Sequence, residues 1–268
     1  MKLPNAPLIE VVFELRWALA GPNELPMALR QDPVYSLLAA DFSERAVSLG
    51  YSVRRDQSTN QAGPFGYSIQ YRYFRDEDTA FPLLQIGPGI FAYNDATGYE
   101  WNDFRKNLRE GLRTLLNSYP KSKSFAMKPV HLELRYIDVF DTDLLGHSDL
   151  EKFLDGDVDL KIRLNDFLKS DRVFSGPVKG KVEIFRDIKG EKETSFQMTI
   201  ASALADESRV IHMVSKVVKK SSLIDLGDNS RTMVSRAIEW ADSAHDITHA
   251  FFEDFVGGKL MKTFHGEN

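Results

Sequence analysis

Two short segments of the sequence carry glutamate and arginine at the same alternating spacing. One reads FELRW around Glu14 and Arg16, and the other reads LELRY around Glu133 and Arg135. Guanidinium groups bond carboxylates and carbonyls in a fixed paired geometry, which suits recognition of a partner molecule. The spacing therefore predicts a binding surface around Arg16 and Arg135. The alternative is a solvated face on which these charges only pair across strands.

A second pattern of chemical interest is the pair of histidines His245 and His249, which are four residues apart with Asp246 between them. This is the spacing of a zinc hydrolase helix. A catalytic zinc needs three protein ligands, and no third ligand follows in the sequence, so we expect neither a metal ion nor another cofactor. The histidines are interpreted instead as part of an exposed helix stripe that joins subunits of a homo-oligomer, formed by Ile238, His245, His249 and Phe252.

Other catalytic patterns are missing from the sequence. The turn Gly87-Pro88-Gly89 is too short for a nucleotide-binding loop and has no Lys-Ser/Thr after it. Serine never occurs in a Gly-x-Ser-x-Gly context. The chain has no cysteine, which excludes thiolate nucleophiles, thiolate metal sites and disulfides. These absences favour a protein without catalytic activity.

Composition limits the kinds of partner. The chain has 268 residues, of which 43% are hydrophobic, and a net charge of -5, which is typical of a soluble globular protein. Charges balance in the first 126 residues and are acidic in excess afterwards, so nucleic acid is not the expected partner. No apolar run approaches the roughly 20 residues of a membrane helix, and Glu10 and Glu14 interrupt any signal peptide. We expect a cytoplasmic protein without membrane contact.

Hydrophobic periodicity predicts the elements that position these residues. Alternating apolar residues predict strands, and apolar residues at spacings of three and four predict helices. Residues 52–66 are predicted to form a polar loop. The predicted strands are residues 8–19, 67–74, 82–86, 90–94, 130–140, 181–186, 195–204 and 209–218, and the predicted helices are residues 32–50, 99–119, 149–168 and 231–255.

The order of these elements suggests an internal repeat. Glu100-Trp101 in the first half is matched by Glu239-Trp240 in the second, so both tryptophans are expected at equivalent core positions. The predicted fold class is α+β, a degenerate tandem β-α-β-β-β-α repeat forming a mostly antiparallel curved sheet with helices on one face. The halves are residues 1–126 and 127–268, sharing one continuous core. The alternative is two unrelated α+β stretches with a common pattern.

Four segments, LPNAPLIEVVFELRW, LLQIGPGIFAYND, GYEWNDF and LELRYIDVF, also carry a resemblance. In that order they resemble the motifs of a sporadically distributed prokaryotic family without an assigned activity. The sequence departs from the family pattern at two positions. Trp101 is one residue closer to Tyr99 than in the family's Tyr-x-x-Trp-like helix start, and Asp138 stands where the family more often has Asn. The resemblance implies a cytoplasmic protein with the patchy distribution of mobile or defence-associated genes. The matching positions are Pro7, Glu10, Gln85, Phe91, Asn94, Tyr99, Arg135 and Tyr136.

The predicted function is therefore non-enzymatic. We expect a binding or adaptor protein that holds a protein partner on an open sheet face, in toxin neutralisation or phage defence. The alternative is an enzyme or small-ligand sensor with a site in the cleft between the halves; a deep pocket there with a raised-pKa carboxylate would favour it. The predicted binding residues are Glu10, Glu14, Arg16, Gln85, Asn94, Glu133, Arg135, Tyr136 and Asp138.

Overall fold

Nine antiparallel strands form one open sheet in the computed structural model of the protein. The structure describes residues 7–20, 30–57, 68–96, 98–120, 126–158, 160, 177–205, 208–256 and 259–264. The strand order is β2-β3-β4-β5-β1-β6-β9-β8-β7. The strands are β1 (Leu8–Trp17), β2 (Val53–Asp56), β3 (Tyr71–Phe74), β4 (Leu83–Gly87), β5 (Ile90–Asp95), β6 (Pro129–Phe140), β7 (Lys181–Asp187), β8 (Thr194–Ala205) and β9 (Ser208–Lys220).

The helices follow the predicted order. They are α1 (Tyr35–Ser48), α2 (Trp101–Ser118), α3 (Thr142–Leu145), α4 (Leu150–Lys152), α5 (Ser230–Phe255) and α6 (Lys259–Phe264). A π-helical turn, Phe153–Asp157, follows α4 directly. The long helix predicted at residues 149–168 is thus only two short turns where the structure describes it, and residues 161–176 lie outside the described part. No helix in the described ranges is long and apolar enough to cross a membrane.

The α+β class and the mostly antiparallel sheet are confirmed. Strands were predicted well because each long strand alternates apolar and polar residues, which is a local signal. The prediction of a loop at residues 52–66 was wrong in its first part, where Val53–Asp56 forms β2. This edge strand reads Val-Arg-Arg-Asp, without alternation, and it is defined only by its pairing with β3.

Helices α1, α2 and α5 pack on the same face of the sheet and enclose the first apolar cluster. In this cluster Phe13 and Leu134 of the central strands meet Phe42, Leu112 and Ile238 from the three helices. A second apolar cluster lies beyond it, where α6 and the turn after α4 cover the far ends of β6, β8 and β9. Its largest members are Phe140, Phe153, Met213, Phe255 and Phe264.

The long helix α5 runs antiparallel to α2 and extends past its beginning. Arg105 near the start of α2 forms an ion pair of 2.6 Å with Asp242 in the middle of α5. At the other end, Ser230 Oγ donates to the carbonyl oxygen of Leu116 at 3.3 Å. Residues of α5 after Asp242 therefore lie beyond the first turn of α2, where Trp101 begins the helix.

The two tryptophans are not at equivalent helix positions, so that expectation was wrong. Trp101 is the first residue of α2, whereas Trp240 lies well inside α5. Both side chains are half-buried against the first apolar cluster. Trp240 makes an edge contact with Phe13 at a ring distance of 6.2 Å, and Trp101 stacks on Phe104 at 5.6 Å. Counting residues between motifs aligned the helices incorrectly because the connections before them differ.

Gly111 lies in the apolar stripe of α2 at a close contact with the sheet. A Cβ atom there would be 2.8 Å from Leu84 Cδ2 and 3.1 Å from Phe91 Cζ. We expect Gly111→Ala to lower the free energy of unfolding by about 1–3 kcal/mol, because overpacking a filled core forces its neighbours to move. Urea unfolding measures this change. The control is Gly156→Ala, since a Cβ atom at Gly156 meets nothing within 4 Å; equal stability of both variants would contradict the prediction.

Candidate functional site

The glutamates of the two repeated segments face each other at the centre of the sheet. Strands β1 and β6 are neighbours, and Glu14 pairs in register with Glu133. Arg16 pairs with His131, and Val12 pairs with Arg135. Side chains at every second strand position share a face, so Glu14, Arg16, Glu133 and Arg135 all lie on the face opposite the helices. We call this face the polar face.

A row of charged side chains crosses β1, β6 and β9 on the polar face. Glu133 is buried and forms ion pairs with Arg135 Nη1 at 3.0 Å and with Lys216 Nζ at 3.2 Å. On β1, Arg16 pairs with Glu14, two residues before it on the same strand. The ring of His131 lies between the acids, 3.6 Å from Glu133 and 3.9 Å from Glu14. We call these six residues the charged row: Glu14, Arg16, His131, Glu133, Arg135 and Lys216.

The charged row keeps Glu133 ionised although it is buried. Burial alone would raise the pKa of Glu133, but the neighbouring His131, Arg135 and Lys216 outweigh burial and lower it to about 2. The two main cations still reach solvent, because 31% of the Arg135 side chain and 28% of the Lys216 side chain are exposed. The charged row thus presents two cationic groups whose positions are fixed by ion pairs with the buried, ionised Glu133.

A second row of polar side chains continues across β3, β4, β5 and β1. Arg72 Nε donates to Gln85 Oε1 at 3.0 Å, and Gln85 Nε2 donates to Asn94 Oδ1 at 2.7 Å. Asn94 in turn donates to Glu10. Gln85 and Asn94 are buried, and each of these two amides both accepts and donates a hydrogen bond, so the chain of bonds fixes the direction of both amides. The predicted residues Glu10, Gln85 and Asn94 therefore act as one unit.

Tyr136 and Asp138 lie on the other face of the sheet, so the nine predicted residues do not form one site. Tyr136 points towards α5, where its hydroxyl lies 2.7 Å from His245 Nδ1. The same hydroxyl lies 3.0 Å from that of Tyr99, just before α2. Asp138 follows Tyr136 by two positions and shares its face. The alternative site built from Glu10, Arg16, Arg135 and Tyr136 is divided by the sheet in the same way.

Asp138 is the most unusual of these groups. Its side chain is 3% exposed, and its Oδ2 has no hydrogen-bond partner among the described residues. Burial raises the pKa of the Asp138 carboxyl to about 7. A carboxyl group in such a setting stays protonated up to neutral pH and can exchange a proton there.

Asp138 belongs to a layer of polar groups that separates the two apolar clusters. Along β6, Leu134 belongs to the first cluster and Phe140 to the second, with Tyr136 and Asp138 between them. Buried Ser215 and Thr248 hold the corresponding positions on β9 and α5. We call this layer the polar seam, and its members are Tyr99, Tyr136, Asp138, Ser215, His245 and Thr248.

His245 belongs to the polar seam, so the predicted exposed helix stripe is not continuous. Its ring stacks on Trp101 with centroids 4.1 Å apart, and burial together with the nearby His249 lowers the pKa of His245 to about 4. Ile238 is fully buried, and Phe252 stacks on Phe264 of α6. Only His249 of the four residues is mostly exposed. The four residues do not form one exposed surface, because Ile238 lies in the first apolar cluster and Phe252 packs on α6. The homo-oligomer stays a prediction.

No group of three potential ligands lies close enough to hold a metal ion in the ranges that the structure describes. The expectation that His245 and His249 bind no zinc stays a prediction, and His245 Nδ1 is engaged with Tyr136. No protein-family model matches the chain, and no curated protein matches it.

The sequence interpretation missed five members of these networks, Arg72, His131, Lys216, Ser215 and Thr248, and it named Tyr99 only as a position of the resemblance. Arg72 and Lys216 enter through cross-strand register, which periodicity does not reveal. His131 had a visible signal, because it precedes Glu133 by two positions and shares its face. The register of β6 against β1 then brings it close to Glu14 as well.

Proposed function

We propose that the protein is a non-enzymatic binding protein that holds a protein partner on the polar face of its sheet. The supporting observation is the charged row, where buried Glu133 fixes two partly exposed cations, Arg135 and Lys216. Glu133 contacts Nη1 of Arg135, and 31% of the Arg135 side chain is exposed, so its outer guanidinium donors can reach acceptors on a partner. Because Arg135 and Lys216 are cationic, we expect the partner to present carboxylates opposite the charged row.

We propose toxin neutralisation or phage defence as the setting of this role, because the resemblance to a patchily distributed prokaryotic family implies it. In such a setting an adaptor recognises one partner specifically, and fixed cations suit that task because they are already oriented before binding. The alternative, an enzyme or sensor with a site between the halves, has less support because its residues lie on both faces of the sheet.

We also propose that the two halves are copies of one β-α-β-β-β-α unit. Strands β1 and β6 are central, followed outwards by β5 and β9, then β4 and β8, then β3 and β7, with β2 at one edge. The register supports a twofold axis between Glu14 and Glu133. With Glu14 as the counterpart of Glu133, Arg16 corresponds to Arg135 and Val12 to His131. The axis therefore turns the pair Arg16–His131 into the pair Arg135–Val12, and both pairs are present.

The binding proposal predicts that single charge removals in the charged row weaken partner retention without unfolding the protein. Arg135→Gln and Lys216→Gln each leave Glu133 with one cation, so we expect both variants to fold. We expect each to weaken partner binding by about tenfold or more, as loss of an interfacial charge contact does. The measurement is quantitative affinity capture from the native host, followed by titration of the captured protein.

The matched control is Lys181→Gln, which removes an exposed cation paired with Glu183 on the edge strand β7. Lys181 lies on the same face as the charged row but several strands away. This variant is expected to retain the partner fully. Unchanged retention by both Arg135→Gln and Lys216→Gln, with thermal stability close to wild type, would rule the proposal out.

A further inference from the structure

A pocket of about 450 Å³ opens on the helix side of the sheet, between α5 and strands β6, β8 and β9. Its base is apolar and includes Leu132 and Val217 from the strands. Ile224 from the connection before α5 and Trp240 with Ile247 from α5 are also part of its lining. This volume is within the range of small-molecule sites, and the lining combines these apolar side chains with charged ones.

Lys219 is the polar group that distinguishes this pocket. It lies on β9 opposite Thr194, and both residues line the pocket. Its side chain is 27% exposed, and its Nζ lies 3.9 Å from Glu191, which is too far for a hydrogen bond. The other cation of the pocket, Arg236, is bonded to Asp225 at 2.9 Å. Lys219 is thus a partly exposed ammonium group whose ion pair with Glu191 is long, so its N–H donors can turn to a carboxylate in the pocket.

The charges around the pocket limit what that ligand can be. Three carboxylates, Glu191, Asp225 and Glu239, line the pocket together with the two cations. These acids repel a ligand with two or more negative charges more strongly than a monocarboxylate, whose one charge can be offset by pairing with Lys219. The apolar base and the half-buried indole of Trp240 favour a ligand whose remaining part is aromatic or branched aliphatic.

We propose that this pocket binds a small amphipathic monocarboxylate. The apolar part of the ligand lies against Trp240, Ile224 and Ile247, and its carboxylate accepts hydrogen bonds from Lys219. The site is on the opposite side of the sheet from the charged row, so it does not depend on the proposed protein-binding role. It gives the protein a second kind of partner, a small organic acid.

The test is isothermal titration calorimetry with 4-phenylbutanoate as the probe acid. We expect one binding site in the wild-type protein and a loss of about tenfold or more in affinity in Lys219→Met, because the charged hydrogen bond is removed. The neutral analogue 4-phenylbutan-1-ol is expected to bind more weakly than the acid and equally well to both proteins. The dianion 4-phenylbutyl phosphate is expected to bind more weakly than the acid.

Two further variants keep the test decisive. Lys181→Met, which changes an exposed lysine on the other face, is expected to bind the acid like wild type. Trp240→Leu is expected to weaken both acid and alcohol; should it fail to fold, Lys219→Met carries the test alone. The proposal is overturned if the acid shows no one-to-one binding at millimolar concentration, if acid and alcohol bind equally, or if the phosphate binds more tightly than the acid.

Discussion

Asp138→Asn is expected to make the protein more stable at pH 8 by about 2–4 kcal/mol and to have little effect near pH 4. In an unfolded chain an aspartate has a pKa near 3.9. Burial raises the pKa of Asp138 in the folded protein to about 7. Between these pH values the folded protein keeps a proton that the unfolded chain has released, so stability falls as the pH rises and stays low above pH 7. Asparagine cannot ionise, so the Asp138→Asn variant does not lose this stability as the pH rises.

Urea unfolding of both proteins at pH 4, 6 and 8 measures this prediction. The gain in unfolding free energy should grow from pH 4 to pH 8 and then level off. Asp246→Asn is the control, because Asp246 is an exposed residue of the same helix that carries His245. Equal stability of Asp138→Asn and wild type at pH 8 would show that the carboxyl is solvated in the folded protein.

The destabilising carboxyl has a consequence for function. A hydrophobic residue at Asp138 would extend the apolar clusters on either side without this loss. Natural proteins retain such costly groups mainly where function requires them. The polar seam also contains the Tyr136 hydroxyl and the His245 ring, 2.7 Å apart, so a proton-exchanging group lies in the same layer as a tyrosine and an imidazole. The polar seam is therefore the second region after the charged row to examine by mutation.

Local periodicity explains which parts of the fold could be predicted from the sequence. Strand β6 alternates apolar and polar residues through Leu132 and Leu134, and α2 carries its apolar stripe through Phe104 and Leu108, so each element was found from its own residues. The same alternation places Tyr136 and Asp138 on the face of Leu134. Their assignment to the polar face could thus have been avoided from the sequence.

Contacts between distant segments could not be predicted in this way. Lys216 reaches Glu133 only because β9 pairs with β6 in one particular register. His245 is half-buried only because α5 passes the first turn of α2, where Trp101 covers it. Both facts depend on how the helices and strands assemble, and a single sequence contains no local signal for them.

Glu133→Gln is the second change with a large expected effect, a loss of about 2–3 kcal/mol of unfolding free energy at pH 7. Removal of one partner of a buried ion pair typically costs about 3–5 kcal/mol, and the loss is smaller here because Arg135 and Lys216 reach solvent. The low pKa of Glu133, about 2, makes its contribution pH-dependent. The contribution is fully present above the unfolded pKa near 4.3 and is lost as the pH falls towards 2.

A double-mutant cycle separates this ion-pair effect from a packing effect. Urea unfolding is measured for Glu133→Gln, Arg135→Gln and the combined variant. If the carboxylate stabilises the protein by holding its cations, Glu133→Gln will cost less once Arg135 is already glutamine. Glu183→Gln is the matched control, because Glu183 is an exposed acid paired with Lys181 on the polar face, and such pairs contribute about 0–1 kcal/mol. Additive effects in the cycle would mean that Glu133 is held by packing alone. In that case the cations of the charged row would not be fixed from below, and the structural basis for their binding a partner would be lost.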